Sequence, residues 1–587
     1  MSTLRRFYVY AMALIALEVW LWSLERLLAK LARGAPHTDF ALPLAGFLVG
    51  AVVFALHWYW AQSEAKRSAE ENSAGVRVAA LYIALALTWG GAFHAAAGAL
   101  AKAFALAIHH GESHFMFSNS TWAALAAAFV LNALAALYFE FVLRRVPMDE
   151  VGAQIRLVYR YAWLSYALGW LTVGSTMLLE AVLAPNKAIS AFASQLIGGV
   201  TLIVGGLVVL AAWGRRWWKE TLRSEERFSN VVVVFLLSWA LSGIAVGMIA
   251  VAASIRATLE FLLGASVPSA FYSALRYTVS VGVPWLALWL FAQYALRRAL
   301  GGRDEEARAA IYRFELAVLA FGGLIALTFG VSNLMAYVAN AVWRVSTSVG
   351  VLTGGATWAL LGLLVWGIAW NAMRREIAVS PEAPRSLTYR FYLYGITFLA
   401  VLGLMVFGTM ALYRALLLVL GVHIHKIAPL AYDLGMVVWS AALVFAHGRL
   451  LGDFRRAEAK MLKEHFPVLV LGGSAPWVEH LLADGDFSLT VASPDEPPPE
   501  ADFAAVVVDG GLLADLPDSW RTWLWKYGGA RLVVPSPEGW LWLSAAAESP
   551  RTQARRIRSA LHALAEGRKP HLNPLTVWWK IFAYIGA

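Results

Sequence analysis

Few residues in this chain of 587 stand where they could do chemistry inside a membrane. Glu18 lies near the middle of an unbroken apolar run, and His94 sits deep in another, about four or five helical turns beyond Arg77. An ionisable group in hydrocarbon is costly, which makes such residues the natural candidates for a transport path or a proton relay. A proton-coupled carrier, however, needs several carboxylates or histidines converging at one depth, and Glu18 is essentially the one deep carboxylate. Glu140, Glu315 and His447 fall near one end of their runs and Glu180, Glu260, Arg414 and Asp433 near the other, within reach of water or headgroups. Glu18 and His94 are therefore the transport or intramembrane polar candidates, with a structural hydrogen bond to a neighbouring helix as the plainer role for Glu18.

Outside the apolar runs, His109, His110, Glu112 and His114 form the stretch that most resembles a metal site, with His423 and His425 in a later loop. Adjacent histidines on an exposed loop lack the fixed outer shell that orients real zinc ligands, so they read as a solvated loop and no metal is expected. The absence of cysteine excludes disulfides, iron–sulfur ligation and thiol nucleophiles. Nothing resembles a Ser-His-Asp arrangement, a glycosidase carboxylate pair or a phosphate loop, so no cofactor is expected and an enzyme is the weaker reading. One further chemical candidate lies near the carboxyl end of the chain. Gly472, Gly473 and Ser474 follow an apolar run and precede a helical stretch, a turn whose backbone amides could hold an anion.

The elements that must position these residues follow from composition. Hydrophobic residues make up 60% of the chain and charged residues only 15%, with 27 Trp. A soluble domain has roughly 25% charged residues, so this is a polytopic membrane protein. Apolar runs long enough to span are centred near Leu17, Val49, Leu87, Ala127, Trp170, Val204, Leu241, Pro284, Gly322, Gly355, Val401 and Val438. The eighth carries Arg276 early and Pro284 within; proline is tolerated where neighbouring helices satisfy the freed carbonyl. No small-residue cleavage site follows the first run, so it is expected to stay in the mature protein.

Lys and Arg are distributed unevenly between the two sets of short loops. Lys66, Arg67, Arg144, Arg145, Arg297, Arg298, Arg374 and Arg375 and their neighbours give one side about twice as many cations as the other. The positive-inside rule then places both termini in the cytoplasm of a cell with a plasma-membrane-bound, multi-pass chain. It also accounts for the net charge of +10 without nucleic acid, since lipid headgroups attract the same cations.

The loops repeat. Each even span ends in a basic pair and each odd span opens shortly after an arginine, one helical hairpin per repeat. Arg5, Arg77 and Arg156 are each followed five residues later by Tyr10, Tyr82 and Tyr161, and Arg77, Arg156 and Arg390 thirteen residues later by Gly90, Gly169 and Gly403. Arg and Tyr are expected to anchor each hairpin at the headgroups, while the mid-span glycines, like the pairs Gly243/Gly247 and Gly350/Gly354, admit a neighbouring helix. Hairpins opening with Arg5-Arg6-Phe7-Tyr8-Val9-Tyr10 and Tyr389-Arg390-Phe391-Tyr392-Leu393-Tyr394 resemble a bacterial family of multi-pass membrane proteins, the domain of unknown function 5671. The resemblance implies a membrane location and no established activity.

Beyond Arg455 the pattern changes to short apolar runs at 466–473, 487–492, 503–509 and 530–535, bounded by Gly, Pro and Asp as buried strands are. Helical spacing at 475–483, 516–527 and 550–566 alternates with them, which predicts a small, mostly parallel α/β sheet. The expected fold is thus an all-α membrane domain of twelve helices in six parallel-repeat hairpins (1–455), a Rossmann-like cytoplasmic α/β domain (456–570) and an interfacial segment (571–587) whose Trp578, Trp579 and Tyr584 favour headgroups. Partners are the lipid bilayer and a protein partner or second copy. The leading function is a non-enzymatic scaffold; the alternatives are a transporter or channel regulated by the α/β domain, and an enzyme acting on a nucleotide or lipid headgroup.

Overall fold

The computed structural model of the chain describes residues 3–108, 120–184, 189–214, 229–379, 386–420, 427–472, 476–484, 487–499, 502–513, 515–534 and 550–565. Among them are twelve helices long and apolar enough to cross a bilayer, and each of the twelve expected centres lies within one of them. In chain order they are α1 (Thr3–Ala32), α2 (Ala41–Arg67), α3 (Gly75–Ala107), α4 (Trp122–Leu143), α5 (Glu150–Val182), α6 (Ile189–Val209), α7 (Asn230–Leu262), α8 (Pro268–Leu300), α9 (Glu305–Val342), α10 (Val349–Val379), α11 (Leu387–Val419) and α12 (Ile427–His465). Pro284 is buried inside α8 without ending it.

Loop chemistry sets where the spans begin and end. Thr121, Asp149 and Asp304 each accept a hydrogen bond from a backbone amide three residues on, satisfying one of the free donors at the starts of α4, α5 and α9. α1, α7 and α9 stop in one manner: a residue with positive φ at Gly34, Gly264 or Arg344, followed by an amide that reaches back to the carbonyl of Lys30, Glu260 or Asn340. Arg344 does this with a side chain, at a cost of roughly 1 kcal/mol relative to glycine.

The chain divides into two compact units, one comprising Met1–Trp370 and His425–Tyr432, the other Asn371–Ile424 and Asp433–Ala587. In the first unit, hairpin partners pack along their length: α1 on α2, α3 on α4, α5 on α6 and α7 on α8. Beyond its own hairpin, α1 touches α3 and α4, and α5 touches α7 and α8. The two most extensive apolar clusters among the described residues lie at these contacts. Leu17, Leu81, Phe139, Tyr159 and Trp163 join α1, α3, α4 and α5, and Tyr161, Leu236, Trp239 and Ala292 join α5, α7 and α8.

In the second unit, four short strands, β1 (Pro467–Leu471), β2 (Ser488–Ala492), β3 (Ala505–Asp509) and β4 (Ala530–Val534), form a wholly parallel sheet in the order β2-β1-β3-β4. The central strands β1 and β3 are buried on both faces, and the edge strands β2 and β4 expose residues of theirs to solvent. One face, with Val468, Val470 and Val507, is covered by α13 (Pro476–Asp484) and α15 (Pro550–Ala565); the other, with Leu469 and Val508, by α14 (Asp518–Lys526) through Trp520. The sheet is therefore a small α/β core, as the alternation of runs implies.

Candidate functional sites

Glu18 projects from the exposed side of α1 and forms no hydrogen bond among the described residues. Two turns further along α1, Glu25 accepts a hydrogen bond from Asn132 Nδ2 of α4. That amide is almost fully buried, also donates to the carbonyl of Ala128 at 2.9 Å, and fills the space that Gly91 of α3 leaves, where a methyl would stand 2.5 Å from Asn132 Oδ1. Glu25 and Asn132 were missed by reading depth alone. The available signal was the seven-residue spacing from Glu18, which puts both carboxylates on one face of α1.

His94 does not meet Glu18. Its Nδ1 donates to the carbonyl of Gly90 at 2.8 Å, its Nε2 lies 3.3 Å from Tyr166 Oη, and its ring stands edge-on to Trp170 at 5.7 Å. It thus packs α3 against α5. A small crevice lies between α1, α2, α3 and α4, lined by Tyr10, Leu14, Leu17, Phe54, Trp58 and Phe139; it is apolar and neither Glu18 nor His94 lines it.

Several other charges of the spans bond across helices, whereas Glu140 pairs one turn along with Arg144 and His447 bonds the Leu443 carbonyl of its own helix. Ser280 Oγ of α8 donates to Glu180 Oε2 of α5 at 2.9 Å, and Arg276 Nε stands 3.3 Å from Glu180 Oε1. Glu260 of α7 takes Arg256 at 2.8 Å and the hydroxyl of Thr353 of α10 at 3.1 Å. Gln293 of α8 donates to Glu315 of α9, and Arg414 of α11 to Asp433 of α12. Ser332 of α9 and Tyr432 share a hydrogen bond of 2.8 Å.

Two expectations about the repeat are corrected. The repeated tyrosines are not at the lipid surface: Tyr10, Tyr82 and Tyr161 are all buried, and of the repeated arginines Arg77 is too, at 3% exposure, whereas Arg5 is exposed. Each tyrosine instead meets the next odd helix. Tyr10 accepts from Arg77 Nη1 of α3 at 3.1 Å, Tyr82 packs on Tyr159 of α5 at 5.0 Å, and Tyr161 stacks on Trp239 of α7 at 5.9 Å. Arg77 also donates to Gln62 at 3.0 Å, and Arg6 to Glu71 at 2.9 Å. The physical reason is that an amphipathic ring and a guanidinium with two acceptors are as well satisfied between helices as among headgroups.

Among the glycines, Gly90, Gly169 and Gly354 have open space where a side chain would go, so they do not admit a neighbour. Gly243, by contrast, lies against the backbone of Trp285 and Trp289, Gly247 against Leu286, and Gly403 against Ser440. Gly350 has the Arg256 guanidinium beside it.

In the α/β core the strand order places the topological switch between β1 and β3. Gly472 follows β1 there with φ of 141°, and a methyl on it would stand 2.9 Å from Asp509 Cβ at the end of β3. The neighbour of the expected anion turn is thus a carboxylate. Gly473 and Ser474 lie outside the described residues, as do His109, His110, Glu112, His114, His423, His425 and the segment 571–587.

A family model described as a domain of unknown function (DUF5671) matches residues 6–135 and 313–446. No curated protein and no solved structure matches the chain. The first match covers Arg6 to the middle of α4, the second Arg313 of α9 to the middle of α12. Over its first four and its last four spans, this chain is therefore similar to the family described by that domain.

Proposed function

We propose that this protein is a non-enzymatic membrane scaffold, lying in the plasma membrane with both termini cytoplasmic and presenting its α/β domain to a protein partner or a second copy. The supporting observation is the use made of polar groups within the spans. Glu25, Glu180, Glu260, Glu315 and Asp433 each bond to a neighbouring helix. Charges spent in this way fasten helices and are not available to bind and release a transported ion.

The spans read best as three tandem units of four helices, α1–α4, α5–α8 and α9–α12. The two family matches fall on the first and third units. In the second, α5 has the same partners, its own hairpin mate and both helices of the next hairpin, as α1 has in the first. The test of the scaffold is affinity purification of the full chain from native membranes, with mass spectrometry. A protein recovered in fixed stoichiometry, or a defined homo-oligomer, is expected. Ion or solute flux through reconstituted vesicles that is abolished by Glu18→Gln would overturn the reading in favour of a transporter.

A further inference from the structure

All four strands are parallel, so their amino ends share one edge of the sheet and their carboxyl ends the opposite edge. The chain enters at the amino edge, because α12 continues unbroken from its span to His465 and β1 begins at Pro467. α14 follows β3 and precedes β4, so it runs back from the carboxyl edge and its last turn returns to the edge where the span delivers the chain.

That last turn is unusual in its exposure. Trp520 is fully buried against the sheet, and Trp523 stacks on Tyr527 at 5.2 Å, whose hydroxyl donates to the carbonyl of Phe503 at 2.8 Å. Trp525, by contrast, is 85% exposed. Cations neighbour it: Lys526 is exposed beside it, Arg521, which pairs with the exposed Asp518 at 3.7 Å, lies one turn earlier on the same face, and the Arg531 guanidinium reaches the carbonyls of Trp525, at 3.4 Å, and Tyr527. An indole left in water gains by moving to the headgroup layer, and each neighbouring cation adds attraction to anionic lipid.

We infer that this edge is a docking surface for the anionic headgroups of the leaflet from which α12 emerges, with Trp525 seated at headgroup depth and Lys526, Arg521 and Arg531 facing lipid phosphates. The inference goes beyond the scaffold reading and needs only its membrane location. Docking in this way turns the carboxyl edge, with Gly472 and Asp509, away from the bilayer and towards soluble partners.

The cysteine-free sequence permits a clean test on the full chain. Gly528→Cys, at an exposed position with open space beside Trp525, and Leu513→Cys, at the carboxyl edge, each take one nitroxide label. The labelled chains are placed in phosphatidylcholine nanodiscs with or without phosphatidylglycerol, and label collisions with lipid-soluble oxygen and a water-soluble nickel chelate are compared. At position 528, oxygen contact should rise and nickel contact fall when phosphatidylglycerol is present, with no change at 513. Lys526→Gln and Arg521→Gln should each lower the docked-to-free ratio about five-fold. A label at 528 as aqueous as that at 513 in anionic discs overturns the inference. So does a label shielded equally in anionic discs, neutral discs and detergent, because the chain's own residues would then cover the tryptophan. Either failure leaves the co-purification test of the scaffold untouched.

Discussion

α1 and α5 hold the same place in their respective sets of four helices, yet they hold it with different chemistry. α1 reaches the fourth helix of its set through a carboxylate and an amide, Glu25 and Asn132, and the third through Tyr10 and Arg77. α5 reaches its fourth helix through an ion pair with an added hydroxyl, Glu180 with Arg276 and Ser280, and its third through Tyr161 on Trp239 and the Trp239 indole donating to Ser165 at 2.7 Å. The family model matches the first set and not the second. A sequence model records residue types, whereas the choice of touching helices is kept by the placement of one polar group per contact. Exchanging amide for arginine alters the first and leaves the second intact.

The comparison can be broken by substitutions at equivalent crossings. The largest effects are expected where two backbones touch in the first hairpin of each set: Gly50→Val of α2 would push against the backbone of Trp20 of α1, and Gly199→Val of α6 against the backbone of Gly174 and Leu178 of α5. Each should cost about 3 kcal/mol, read as a fall in the detergent melting temperature by tryptophan fluorescence. If one is tolerated and the other is not, the two sets are not packed alike. Next comes Arg276→Met, which takes the cation away from Glu180 and should cost about 2 kcal/mol, less than a fully buried pair because both groups retain some exposure. Asn132→Leu in the first set should cost about 1 kcal/mol, the range of a neutral hydrogen bond between membrane helices. An equal loss from both would mean that the change from amide to arginine adds no strength. Glu18→Gln should change melting by less than about 0.5 kcal/mol, since no described residue of its own set bonds to it.

The smallest effect lies outside both sets and serves as their control. Burial raises the Tyr527 phenol above its ordinary value of 10.0, with Asp502 adding to the rise and Arg531 opposing it. Its contribution to the α/β core is complete below pH 10 and is lost as the pH rises through the raised value. Tyr527→Phe should remove that alkaline dependence, measured as the melting of the full chain at pH 9 and pH 11, without altering the response to Gly50→Val or Gly199→Val.

Which features were legible in the sequence follows from how local their causes are. Long apolar runs, and short ones bounded by Gly, Pro and Asp, are local, so every span centre falls in a helix and each strand begins and ends within two residues of its run. The repeated arginine and tyrosine were legible as a pattern but not as an environment, because a belt residue and a buried contact look alike when only one helix is in view. Glu25 and Asn132 are 107 positions apart, and no local rule pairs them. The mid-span glycines fail for a related reason. Gly90 and Gly91 differ by 100° around α3, and only the second faces Asn132.

α12 carries a mechanical consequence. A helix that passes from bilayer to sheet with Phe466 alone between them cannot act as a hinge. It is a drive shaft, so a turn of the last span about its own axis is delivered to β1 as torque. Each residue added to or removed from the part of the helix beyond the bilayer would swing the sheet by about 100° and move it by about 1.5 Å. The length of that shaft is therefore an address: it sets the direction around the axis of the last span in which the α/β core points.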